Sequence, residues 1–255
     1  MGDVQRPDVA RLHQSISKAA PIEANRVLAL VSHLFTKAEE WGYVPAGHPN
    51  PARGVQKSKE RARDRWLKEG EVRTLMRAVS VESDPYVQGA ILLYLLTGLR
   101  KTELLAARWV DVDLDRRELR LPDTKSGRPH VIHLSAEAAH VFRMLPRQQD
   151  SPWVFPGRFD GHRKDIKGQW ERVRGKAGLA DVRLHDLRRT VGSWLAQQGT
   201  SLQVIGKILN HSHPGVTAVY ARLADEQSRE AMDVLGAKMG EVLQLPSIGA
   251  TIDER

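Results

Sequence analysis

Four short segments of this chain carry side chains suited to chemistry on an anion. In Leu184-His185-Asp186-Leu187-Arg188 the imidazole and the guanidinium stand three residues apart, so on a helix they share a face. A proton-transfer group and a rigid fork of N–H donors then point the same way, which suits a phosphate. Further on, Leu209-Asn210-His211 closes a helix, Pro214-Gly215 breaks the chain, and Tyr220 follows on the next helix. Of four tyrosines, Tyr220 is the one flanked by a His and an Arg. Upstream, Thr97-Gly98-Leu99-Arg100 and Glu103 place a guanidinium and a carboxylate on one helix face after a glycine break, so the acid can hold the base. Lys125 sits in Asp123–Arg128, a turn-forming run between two strand-like segments. Singly, each has a plain structural reading: a surface ion pair, a core tyrosine, a solvated turn lysine.

The elements that must position these groups follow from periodicity and punctuation. Residues 7–43 read as two short helices, with Pro7 and Pro21 near their starts. Val44–Pro51 contains three prolines and a glycine, which no helix survives; the basic run that follows makes this a linker, with a domain boundary near residue 60. Helices are expected at about 68–79, 84–96 and 100–108, a strand pair at 118–121 and 129–134, then helices at about 136–145, 164–177, 185–198, 201–209, 215–223 and 226–243. The expected fold is mainly α with a small antiparallel β-sheet (α+β), organised as 1–58, 59–243 and a flexible tail, 244–255. In the last helix Met232, Leu235, Met239 and Leu243 form one apolar stripe.

Composition narrows the function classes. The chain has 255 residues, enough for a real core. It has no cysteine, which removes disulfides, thiol nucleophiles and Cys-ligated metal. Walker, dinucleotide and zincin signatures are missing. His130 and His133 stand three apart in a strand and so face opposite ways. The longest apolar run, Gly89–Leu99, is about half the ~20 residues of a spanning helix, and the N-terminus lacks a signal pattern, so a cytoplasmic protein without membrane contact is expected. The net charge of +8 is concentrated: residues 51–77 and 158–189 each carry +5, and the remainder sums to −2. Cations gathered in this way suit a polyanion, because phosphate contact releases counterions.

Taken in order, Arg100 and Glu103 after Thr97-Gly98-Leu99, Lys125 in a hairpin, His185 and Arg188, His211, and Tyr220 resemble the catalytic domain of the tyrosine recombinases, the phage-integrase family. The resemblance covers about residues 66–240. It implies that Tyr220 attacks a DNA phosphodiester to give a 3′-phosphotyrosyl link and a free 5′-hydroxyl. It further implies that Arg100, Arg188 and His211 bind the non-bridging oxygens, that Lys125 protonates the leaving 5′-oxygen, that His185 assists proton movement at Tyr220, and that Glu103 orients. A cation cluster would favour the phenolate of a group whose pKa is otherwise ~10. No cofactor, metal or ATP is implied. The implied partners are double-stranded DNA, further copies of the chain in a homotetramer joined through the C-terminal helix, and accessory DNA-bending proteins. Prophage or mobile-element integration or excision is the implied role; a topoisomerase-like relaxing activity and a DNA-binding remnant are the alternatives. Two departures stand out. Asn210 occupies a position usually held by Gly, and only 65 residues precede Trp66, where the family has a fuller core-binding domain.

Overall fold

In a computed structural model, which describes residues 2–60, 63–122, 129–223 and 232–239, the chain divides between Asp64 and Arg65 into two units. In the first, α1 (Arg6–Ser17) and α2 (Pro21–Glu40) each carry a proline in the first turn, where its missing N–H costs nothing. Val9, Leu28 and Ala52 form their small core. The proline-rich stretch after α2, read above as a linker, ends the helix as expected but then packs back on it. Val44 and Ala52 are buried, and Asn50 donates to the Ser32 carbonyl at 2.8 Å. Asn25 on α2 pins the later part of the stretch: its amide donates to the Ser58 carbonyl and to Glu60, each at 2.8 Å, and its Oδ1 lies 2.9 Å from His13 Nε2.

The second unit contains α3 (Glu69–Ser80), α4 (Pro85–Thr97), α5 (Lys101–Leu105), β1 (Val112–Asp113), β2 (Glu118–Leu121), β3 (His130–His133), α6 (Ala136–Met144), α7 (Lys167–Lys176), α8 (Leu184–Gln197), α9 (Leu202–Ile208) and α10 (Pro214–Thr217). A 3-10 turn, Ala218–Tyr220, follows α10. The fold is thus mainly helical with one small antiparallel sheet, as the sequence led us to expect. Helix α4 is apolar on nearly every side and lies in the core. Asp84 caps its first turn through the N–H groups of Tyr86 and Val87. Gly98 ends it in the left-handed region, φ 63°.

Helix α8 crosses α4 and also anchors the start of the unit. Thr190 Oγ1 accepts from the Leu67 N–H at 2.9 Å, and Trp194 Nε1 donates to the Leu67 carbonyl at 3.0 Å. Both main-chain groups of one buried residue are therefore satisfied by the helix that carries His185 and Arg188.

Three local expectations are corrected. The sheet has three strands in the order β1-β2-β3, because Val112 and Asp113 pair with Leu119 and Glu118. The helix expected to reach residue 108 stops at Leu105; beyond it the chain bonds to the segment around Trp153, with Trp109 N–H on the Pro152 carbonyl and Val154 N–H on that of Ala107. The helix expected over 215–223 is interrupted: an α-turn is followed by a 3-10 turn, and residues 221–223 are α-helical again. Of the last expected helix, 232–239 is helical with Met232, Leu235 and Met239 exposed, and Leu243 lies outside the described residues.

Candidate active site

The site is built where α4, α8 and the end of α9 meet. Arg188, 4% exposed, extends from α8 and donates through Nη1 to the Gly98 carbonyl at 2.6 Å and through Nη2 to the Leu209 carbonyl. This close approach needs a residue without a side chain at 98: a Cβ there would lie 2.7 Å from Leu209 Cδ2. Arg100 stands at the start of α5. Glu103, its carboxylate almost wholly buried, accepts from the Arg100 backbone N–H at 3.0 Å and from Nη1 at 2.7 Å. Nη2 of Arg100 donates to the Asn210 carbonyl at 2.6 Å. The two forks thus take successive carbonyls at the end of α9, groups that a helix terminus leaves without an internal partner. Asn210 has φ 48°, so the asparagine accepts the left-handed geometry for which the sequence departure had left room. Its Nδ2 is buried without a partner among the described residues.

His211 follows at once, with Nδ1 2.8 Å from the hydroxyl of Thr217. Burial, then Arg188, Arg100 and His185, push its pKa down to about 4, so the imidazole is neutral at neutral pH. His185, on the first turn of α8, reaches the surface; packing around the ring, then Arg188 and Arg189, lower its pKa as well. With Arg188 it lines a cavity of about 400 Å³ whose walls include Leu99, Lys101, Trp170 and Leu184. Burial, then Arg100, brings Arg188 down to about 10, which leaves it charged at neutral pH.

Tyr220 lies in the same neighbourhood, on its own chain. It is 6% exposed and packs with Ala196, Ile205 and Leu209. Its ring rests on Gly192 of α8, where an added Cβ would sit 2.7 Å from the phenol oxygen. Arg188 and Arg189 do favour the phenolate, but they are outweighed. Burial is the largest influence on the phenol and raises its pKa, and the opposing pull of Arg188 and Arg189 does not overcome it. At neutral pH Tyr220 is therefore a neutral phenol.

Arg100, Glu103, His185, Arg188, His211 and Tyr220 therefore converge. Lys125 lies outside the described residues. The sequence reading missed three contributors. Thr217 stands one helical turn before Tyr220, and that spacing was the available signal. Gly192 was detectable as an isolated glycine inside a helical pattern. His130 was weighed only as a metal ligand; it starts β3, feels Glu103, Arg100 and Lys207, and lines a cavity with Lys207, Asn210 and His211. No spacing in the sequence marks it. Among the described residues no three His, Asp or Glu side chains gather as a metal donor set, and no helix is long and apolar enough to cross a membrane.

Two guanidiniums and an imidazole thus stand beside a tyrosine, and comparison with known proteins identifies the family. The model of the phage integrase family matches residues 65–227, and the chain belongs to that family. A shufflon-specific DNA recombinase of Escherichia coli is 30% identical over 244 residues, 92% of this chain and 61% of that protein. The prophage integrase IntZ of Escherichia coli K12 is 28% identical, over 90% of this chain and 58% of its own length. The chain thus spans about six-tenths of these relatives. Among solved structures, the Tn1549 transposon integrase in complex with transposon right end DNA has a TM-score of 0.72 at 18% identity, covering 92% of this chain and 87% of that one. The XerH recombinase bound to a palindromic difH substrate has a TM-score of 0.67 at 16% identity, covering 92% and 74%. These likenesses establish the tyrosine recombinase fold.

Proposed function

We propose that this chain cleaves and rejoins DNA strands as a site-specific recombinase, through a tyrosine–phosphate bond. The observation that carries this reading is the convergence of Tyr220, Arg188, Arg100 and His211 within one chain. Tyr220 Oη attacks phosphorus, the 3′-phosphotyrosyl bond forms and the bond to the 5′-oxygen breaks. The phenol proton departs with the help of His185, and Lys125 supplies a proton to the leaving oxygen. Rejoining runs the same step backwards: the 5′-hydroxyl of a new strand gives its proton to Lys125 as it attacks phosphorus, the bond to Tyr220 breaks, and the phenol is reprotonated with the help of His185. Arg100 and Arg188 hold the non-bridging oxygens with the N–H groups not given to carbonyls, and His211 adds a donor. A planar fork fits a phosphorane better than an ammonium does. Because the resting phenol is neutral, bound phosphate and the arginines must lower its pKa together with proton removal.

In this reading residues 1–58 are part of a DNA-gripping region ahead of a catalytic domain at 59–243. The exposed Met232, Leu235 and Met239 dock on a neighbouring copy in a tetramer on DNA, with accessory bending proteins. The substrate is DNA of a prophage or mobile element in the cytoplasm, where the relatives' names support recombination of this kind.

A nicked suicide duplex carrying the recombination site tests the proposal. The protein becomes covalently attached through Tyr220, and Tyr220→Phe abolishes attachment while retaining the gel shift. A wild-type protein that shifts the duplex without ever attaching would overturn the catalytic reading in favour of a DNA-binding remnant.

A further inference from the structure

The contact between His211 and Thr217 has no role in the steps above, yet it joins the clamp to the helix that delivers the nucleophile. Thr217 is 3% exposed and closes α10, immediately before the turn that ends in Tyr220. Its hydroxyl lies 2.8 Å from His211 Nδ1. Helix α9 opposes it with Gly206, where a Cβ would fall 3.1 Å from the same hydroxyl oxygen. The glycine leaves the hydroxyl room to approach the ring.

We infer that Thr217 is a positioning residue: its hydroxyl donates to Nδ1 of His211 and thereby fixes the imidazole in the form that carries its proton on Nε2. The inference rests on the strand-cleaving reading of this site. A neutral imidazole has one N–H, and the hydrogen bond made by one ring nitrogen decides which of them bears it. The geometry supplies the direction. Among the described contacts, His211 is the hydrogen-bond partner of the Thr217 side chain, and a proton on Nδ1 would leave a buried hydroxyl hydrogen with no acceptor. With the hydroxyl as donor, the Thr217 hydrogen and His211 Nδ1 are paired with each other, and Nε2–H is the donor left for a phosphate oxygen. The opposite form would present a lone pair to an oxygen that only accepts.

Two measurements test this, and they separate it from the reading beneath it. The first is the ring-nitrogen spectrum of His211 in the DNA-free full chain at neutral pH. Nδ1 is expected to be pyridine-like and Nε2 pyrrole-like, and Thr217→Val is expected to return the ring to the mixture of a free imidazole. A protonated Nδ1 in the wild type overturns the inference. The second is attachment to the suicide duplex. Thr217→Val is expected to slow attachment about tenfold without weakening the gel shift, as outer-shell partners of a working imidazole do. Thr217→Ser, which keeps the hydroxyl, is expected to restore most of the rate. Gly206→Ala, which touches neither partner's chemistry, shifts the ring equilibrium in the same direction and keeps the inference testable if the valine variant does not fold. A wild type that attaches, with Thr217→Val attaching equally fast, overturns the inference alone; a wild type that never attaches overturns the reading on which it rests.

Discussion

Arg100 reaches across the fold to the main-chain carbonyl of Asn210, 2.6 Å away, while Asn210 itself sits at φ 48°. The clamp therefore depends on a backbone twist at a residue whose side-chain amide is buried without a partner among the described residues. Asn210→Ala keeps the twist but loses the tolerance that asparagine brings, and should cost about 1–2 kcal/mol. Asn210→Gly should be at least as stable as the wild type, since glycine accepts this geometry and removes the orphaned donor. Urea denaturation of the pair measures the difference; an alanine variant as stable as the glycine one would contradict the argument.

Arg188→Lys keeps a charge but gives up the fork. An ammonium cannot hold the Gly98 and Leu209 carbonyls together, so one buried acceptor loses its partner, at about 1–3 kcal/mol. The same loss removes an oxygen-binding donor, and attachment to the suicide duplex should fall by ~100-fold or more. Denaturation and single-turnover attachment, measured on one preparation, check both.

Gly192→Ala offers a cleaner separation of fold from chemistry. Alanine is the better helix former by about 1 kcal/mol, yet its methyl would occupy the place of the Tyr220 phenol. The expected result is a folded protein with a retained gel shift and severely reduced attachment. Undiminished attachment would mean that the phenol reacts from another position.

Acid should weaken the fold through His211. Its folded pKa, about 4, lies below the 6.5 of a free imidazole, so between these values the unfolded chain binds the extra proton. The contribution is complete above pH 6.5 and is lost as pH falls towards 4; His185 acts in the same direction. Melting temperatures from pH 7.5 to 4.5 should fall, and His211→Gln should flatten part of that slope.

The helices were legible because their apolar spacing and their punctuation by Pro85, Gly98 and Pro214 are local properties. The candidate site residues could be singled out because each lies in a short segment of unusual chemistry, and their order pointed to the family that the comparison shows. What the sequence could not convey was long-range. Strand β1 is only two residues long, and it exists because Val112 and Asp113 meet β2. Helix α5 ends early because the chain after it pairs with residues around Trp153, far along the sequence. The net direction of the Tyr220 shift was hidden for a related reason. The cations could be counted from the sequence, but the apolar enclosure by Ala196, Ile205 and Leu209 could not.

The anchoring of both arginine forks to main-chain oxygens carries an engineering consequence. Every amino acid supplies a carbonyl, so an outward side chain of α9 such as exposed Val204 can be exchanged while the grip on positions 209 and 210 persists. A variant randomised on that outer surface would leave both carbonyl contacts of the two arginines in place.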